Sequence, residues 1–124
     1  VRIVGWRRDV PAVMRALDAF LLTSHWEGLA RVWLEARAAR VPVVATRVGG
    51  AAEAITDGRH GRLCEVGDLD GLAERLCEVL KTGWNGAPSR DGGDLPDEFE
   101  IHEMVRQYQQ LYDKLLADFV RRVA

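Results

Sequence analysis

The chain has 124 residues, 48% of them hydrophobic and 29% charged, and a net charge of −2. That length suits one domain with a real core, since a chain of this size buries about two thirds of its unfolded surface. The mixed charge, with no basic block, argues against a nucleic-acid or anionic-membrane footprint, and no apolar run approaches the ~18 residues that a membrane span needs.

Short apolar strands alternating with helical stretches form the main pattern. Arg2 to Val4 reads as a strand ending at Gly5. Val10 to Leu17 reads as a short helix, with Asp9 as N-cap and Pro11 at an early position. Ala19 to Thr23 is a buried strand, and Arg31 to Arg40 is a helix with Val32, Leu34 to Ala36 and Ala39 facing inward. Pro42 to Ala45 is a β-branched strand, and Gly49-Gly50 opens a short helix through Ile55. Asp57-Gly58 is a turn, Arg62 to Val66 a fourth strand, and Asp68 caps a helix marked by Leu69, Leu72, Ala73, Leu76 and Val79-Leu80. Thr82 to Asp97, rich in Gly, Pro, Asp and Asn, reads as a mobile loop. A long helix follows from about Phe99, with an apolar stripe that reads as a packing face.

The expected fold class is therefore α/β, a Rossmann-like parallel sheet of about four strands with flanking helices and a long C-terminal helix. The expected division is a core over residues 1–82, a flexible loop over 83–98 and a helix over 99–124. Cys64 falls on a strand and Cys77 on a helix, both among apolar neighbours, which reads as two buried reduced thiols. No C-x-x-C spacing occurs, and His25, His60 and His102 are scattered, so no zinc site is expected. No basic-then-apolar leader is seen, and the expected location is cytoplasmic.

Two glutamates, Glu27 and Glu35, carry the strongest functional signal. Glu27 falls in the turn after the second expected strand, where Gly28 permits a sharp bend. Glu35 lies two turns further on, inside the following helix. Backbone N–H groups at such a helix start attract phosphate, and a carboxylate two turns in can accept hydrogen bonds from a vicinal diol such as ribose. Gly5, Glu27, Gly28 and Gly49-Gly50 all fall at expected strand C-termini, where ligands of open α/β sheets bind. Two glutamates on a helix are by themselves ordinary solvated charges.

The longer string is more specific. Glu27-Gly28-Leu29, Glu35-Ala36-Arg37-Ala38-Ala39, Val41 to Thr46, Val48-Gly49-Gly50 and Glu53 follow in order, with Val1 to Gly5 and Asp9-Val10 upstream and Asp57-Gly58, Gly61-Arg62-Leu63 and Val66-Gly67-Asp68 downstream. This string resembles the C-terminal, donor-binding domain of the GT-B glycosyltransferases, in particular the retaining family 4. The resemblance implies that Glu27 lies by the donor sugar, as the catalytic position. It implies that Glu35 holds the ribose hydroxyls, and that Gly28, Leu29 and Ala30 present backbone N–H groups to sugar and diphosphate. Val4-Gly5 would lie near the nucleobase, and Gly49-Gly50 would flank the donor. Such enzymes usually need no metal and no cofactor beyond a donor such as a UDP- or GDP-sugar.

Departures from the family pattern are informative. Ala30 stands where proline is common, at small cost because the role is largely backbone. Arg37 replaces a methionine, and is either a charge on a buried face or faces a surface the family normally covers. Arg40 replaces a glycine suited to closing a helix. The resemblance also implies that two βα units, with an Arg and a Lys for the diphosphate, and the acceptor domain lie outside this chain. Arg31 is then the nearby cation, and transfer by the chain alone is not expected. The alternatives are a non-catalytic nucleotide or sugar-phosphate module, or a structural, oligomerising remnant. The expected partners are a nucleotide-sugar and a complementing chain or a second copy, met through the open sheet edge or the C-terminal helix. The first expected strand would then pair beside the second, or two chains would associate there.

Overall fold

A computed structural model describes residues 1–82, 84 and 99–123. The chain divides into two compact units, residues 1–94 and 95–124. In the first unit the order is α1 (Val10–Arg15), β1 (Phe20–Leu22), α2 (Arg31–Ala38), β2 (Val43–Thr46), α3 (Ala51–Ala54), β3 (Gly61–Cys64) and α4 (Leu69–Thr82). The second unit holds α5 (Ile101–Val123).

The three strands form one parallel sheet in the order β1-β2-β3, with Phe20 beside Val43 and Val43 beside Gly61. Every residue of β2 is buried, because it alone has a neighbour on each side and helices on each face. Val43 and Ala45 point into a core with Trp33, Ala36, Ile55 and Leu63. Val44 points to the opposite face, with Cys64, Leu72 and Val79. The period-two alternation of a strand thus divides β2 between α2 and α3 on one side and α4 on the other. Gly61 is needed at the start of β3: an added Cβ would lie 1.8 Å from the Val43 carbonyl oxygen.

The α/β class and parallel sheet agree with the sequence pattern, but Arg2 to Val4 forms no strand. Ile3 is 94% exposed, and Val1 and Val4 are exposed with it. A three-residue run pairing on one side only gains a short ladder, and that does not offset an ordering cost of about 1–2 kcal/mol per residue. Direct pairing of this run beside β1 is therefore not what the structure shows.

Local chemistry sets the helix ends. Asp68 caps α4, its carboxylate accepting from the Gly71 N–H at 2.9 Å. Asp9 stands at the N-cap of α1 but makes no side-chain cap. Its carboxylate is bound instead by the Arg7 guanidinium, which holds it below the usual aspartate range. Helix α2 closes with a paired motif: the Val41 N–H donates to the Ala36 carbonyl at 2.9 Å, and the Arg40 N–H to that of Arg37 at 2.8 Å. Arg40 takes the left-handed conformation, φ 60°, that the closure requires, so the turn survives without glycine. The buried face of α2 is Trp33, Ala36 and Arg37, not the expected Val32, Leu34 to Ala36 and Ala39: Glu35 is exposed and Val32, Leu34 and Ala39 are half-buried. Arg37 is only 6% exposed, and its Nη1 donates to the Ala54 carbonyl at 2.7 Å. The arginine is therefore built into the packing of α2 on α3.

Cys64 is buried and Cys77 exposed, and both are free. The expectation of two buried thiols fails for Cys77, which lies on the outward face of α4. Burial raises the Cys64 thiol above its usual range. Opposite the core, Arg62 and Glu78 tie β3 to α4 at 2.7 Å, and the Arg62 guanidinium lies over the Trp84 ring. The expected loop over 83–98 lies, apart from Trp84, outside the described residues.

Candidate functional site

Parallel strands send their carboxyl ends to one edge of a sheet, and here two of them turn into helices side by side. The turn after β1 carries Ser24, Glu27, Gly28, Leu29 and Ala30 into α2; the turn after β2 carries Val48, Gly49 and Gly50 into α3. The two turns touch through backbone. The Gly50 N–H donates to the Gly28 carbonyl at 2.7 Å. Gly49 has φ 45°, and an added Cβ would sit 1.9 Å from the Glu27 carbonyl oxygen and 2.5 Å from that of Gly28. Only glycine meets both demands, the positive φ and the close approach.

The Glu27 carboxylate is positioned by its neighbours. Ser24 Oγ donates to Glu27 Oε1 at 2.8 Å, and the Thr46 hydroxyl donates to the Ser24 carbonyl. Ser24 is thus held by its backbone from the end of β2, while its side chain holds the carboxylate. Sequence reasoning assigned Ser24 and Thr46 no role, although hydroxyl residues at two adjacent strand ends were a signal that could have found them. Trp26 and Leu29 stand exposed on the same turn.

Helix α2 begins at Arg31 without a side-chain cap. The Trp33 N–H donates to the Ala30 carbonyl at 3.0 Å. The N–H groups of Arg31 and Val32, with the positive end of the helix dipole, are the part of the first turn that can meet an anion. Arg31 is exposed at that end. Glu35 is one turn on, about 6 Å along the axis from Arg31. It is exposed and lines a cavity of about 180 Å³ between α1 and α2 with Val10, Pro11, Met14, Arg15, Ala38 and Ala39. Arg15, the basic residue of the last turn of α1, is the cation on this cavity, one that sequence reasoning missed.

The structure therefore brings Glu27, Gly28, Gly49 and Gly50 into direct contact, and places Leu29, Ala30, Arg31 and Glu35 along the same turn and helix. It does not bring Val4 and Gly5 to them through the sheet, since that segment is outside it; a Cβ added at Gly5 would meet nothing within 4 Å. Among the described residues no group of three His, Cys, Asp or Glu is placed to hold a metal ion. No described helix is long and apolar enough to cross a membrane.

A layered parallel sheet with two glycine turns meeting at its carboxyl edge is a Rossmann-like arrangement, as in part of a GT-B domain. The chain belongs to the group 1 glycosyl transferases, whose family model matches residues 1–82. It is 35% identical over 120 residues to the N-acetyl-alpha-D-glucosaminyl L-malate synthase of Bacillus anthracis, covering 95% of this chain and 32% of that protein. It is 32% identical over 111 residues to the UDP-Gal:alpha-D-GlcNAc-diphosphoundecaprenol alpha-1,3-galactosyltransferase of Escherichia coli, covering 89% of this chain and 29% of that one. With the glycogen synthase of Mycobacterium tuberculosis the identity is 41% over 72 residues, 58% of this chain and 17% of that enzyme. The chain thus spans a third or less of the length of these relatives.

Proposed function

We propose that the carboxyl edge of the sheet is the nucleotide-sugar half of a retaining, family 4 type glycosyltransferase site. The donor is a UDP- or GDP-sugar. Glu35 accepts hydrogen bonds from the ribose hydroxyls. Backbone N–H groups of Gly28, Leu29 and Ala30 and the start of α2 face the diphosphate, with Arg31 as its nearby cation. Glu27, held by Ser24, lies beside the donor sugar, and Gly49-Gly50 form the opposite wall. No metal is required in this reading, because helix dipole and guanidinium supply the positive field. The proposal does not rest on Val4-Gly5.

The observation that carries it is the backbone contact between the two glycine turns. That contact holds the two turns side by side, so that the backbone of both is presented at one edge of the sheet, as a ligand cradle requires. Stabilising the leaving diphosphate and positioning an acceptor need more groups than this edge supplies. We therefore assign donor binding to this chain, and transfer to its combination with further cationic and acceptor-binding parts, in the same polypeptide or a complementing one.

The test is a titration of the chain with UDP, GDP, UDP-glucose and GDP-mannose by calorimetry or NMR, with Glu35→Ala as control. Glu35 is exposed, so its removal is expected to leave stability within about 0.5 kcal/mol. Saturable binding lost in the variant is the expected result. Absence of binding at millimolar ligand would overturn the proposal for this chain.

A further inference from the structure

Among the described residues the buried polar or charged side chains are Arg37 and Thr46. Arg37 joins α2 to α3. Thr46 stands at the end of β2, 2% exposed, where valine would fill the same place without a hydroxyl to satisfy. That hydroxyl donates to the Ser24 carbonyl. The ladder between β1 and β2 ends at the couple Leu22 and Ala45. β2 runs on beside β3, with Thr46 opposite Cys64, while the chain after β1 leaves the sheet. The Thr46 hydroxyl therefore takes a carbonyl just beyond the ladder, where the turn that carries Glu27 begins. Further along the same turn, Gly49 lies against the Glu27 carbonyl and the Gly50 N–H donates to that of Gly28 at 2.7 Å. The segment leaving β2 thus holds the Glu27 turn at both ends. Between them Ser24 Oγ donates to Glu27 Oε1 at 2.8 Å, and no bond among the described residues engages Oε2.

We infer that Thr46 is a positioning residue for the donor sugar, an inference that rests on the donor-site reading above. Its hydroxyl fixes the Ser24 peptide. Ser24, so fixed, occupies Oε1 and leaves Oε2 as the oxygen that accepts from a hydroxyl of the sugar. A glutamate on a surface turn otherwise samples several rotamers. Freedom already lost on folding is not lost again on binding, so a held carboxylate binds a hydroxyl more tightly than a free one. The effect of Thr46 falls on the sugar alone. The diphosphate and ribose are met by the start of α2 and by Glu35, which Thr46 does not touch. Thr46 therefore sets how much the sugar adds to the affinity of the nucleotide.

Calorimetric affinities of the whole chain for UDP against UDP-glucose, and for GDP against GDP-mannose, test this. Thr46→Val keeps the side-chain shape and removes the hydroxyl; Thr46→Ser removes a buried methyl and keeps the hydroxyl. In Thr46→Val the ratio of nucleotide-sugar to nucleotide affinity should fall about five- to tenfold, as for one lost hydrogen bond, with the affinity for the nucleotide alone unchanged. Ser24→Ala, at a half-buried turn residue, should give the same fall, and Thr46→Ser should keep the original ratio. In a Glu27→Ala background Thr46→Val should lower the ratio no further, because the group it positions is gone. Equal losses for nucleotide and nucleotide-sugar would make Thr46 a structural residue and overturn the inference. So would an unchanged ratio in Thr46→Val and Ser24→Ala, or a further fall in the Glu27→Ala background. Binding of neither ligand class by the unaltered chain is a separate result, which overturns the donor-site reading and this inference with it.

Discussion

Val43-Val44-Ala45 and Arg2-Ile3-Val4 are short runs of similar β-branched character, yet the first lies at the centre of the sheet and the second lies in solvent. The difference is in their surroundings. Val43 to Ala45 has β1 and β3 as neighbours and helices above and below, so each backbone group and each side chain has a place. Arg2 to Val4 has no such frame. A strand is made by its neighbours as much as by its residues. The consequence reaches function: turns that follow paired strands are fixed against one another, whereas Val4-Gly5 is not fixed by the sheet to Glu27 and Gly49.

The comparison can be broken at its strongest point first. Gly49→Ala combines a left-handed backbone with a Cβ driven onto the Glu27 carbonyl. We expect a loss of about 2–5 kcal/mol, measured as a lower denaturation midpoint, with nucleotide binding lost even where folding is rescued by lower temperature. Arg40→Gly works the other way. It removes a side chain from a left-handed position at the end of α2, and should raise stability by about 1 kcal/mol in the same unfolding experiment. Ile3→Ser sharpens the contrast from the other side. A residue outside the sheet and 94% exposed should change stability by less than about 0.5 kcal/mol, whereas a large loss would show that the opening run is packed after all.

Much of this was legible in the sequence because it depends on local chemistry. Asp68 before an apolar-periodic run announced α4, paired glycines announced the turn into α3, and β-branched Val43-Val44 announced the central strand. Glu27 and Glu35 were legible as a pair through their place in an ordered string. Other features were not, because they depend on which surfaces meet. Arg37 is polar by type but buried, since the Ala54 carbonyl at the end of α3 receives it. Trp33 lies off the inward face that the sequence pattern predicts for α2, yet it is among the largest fully buried side chains. Cys77 has apolar neighbours in sequence, but the helix turns it outward. The bond from the Thr46 hydroxyl to the Ser24 carbonyl joins residues 22 apart and depends on the parallel register of β1 on β2.

The donor titration, read residue by residue by NMR on the labelled chain, tests the central claim most directly. Shift changes on adding a UDP- or GDP-sugar should cluster at Ser24 to Arg31, Glu35 and Val48 to Gly50, saturate together, and vanish in Glu35→Ala. Saturable changes confined to other surfaces, or none at all, would contradict the assignment of the donor site to the meeting of the two glycine turns.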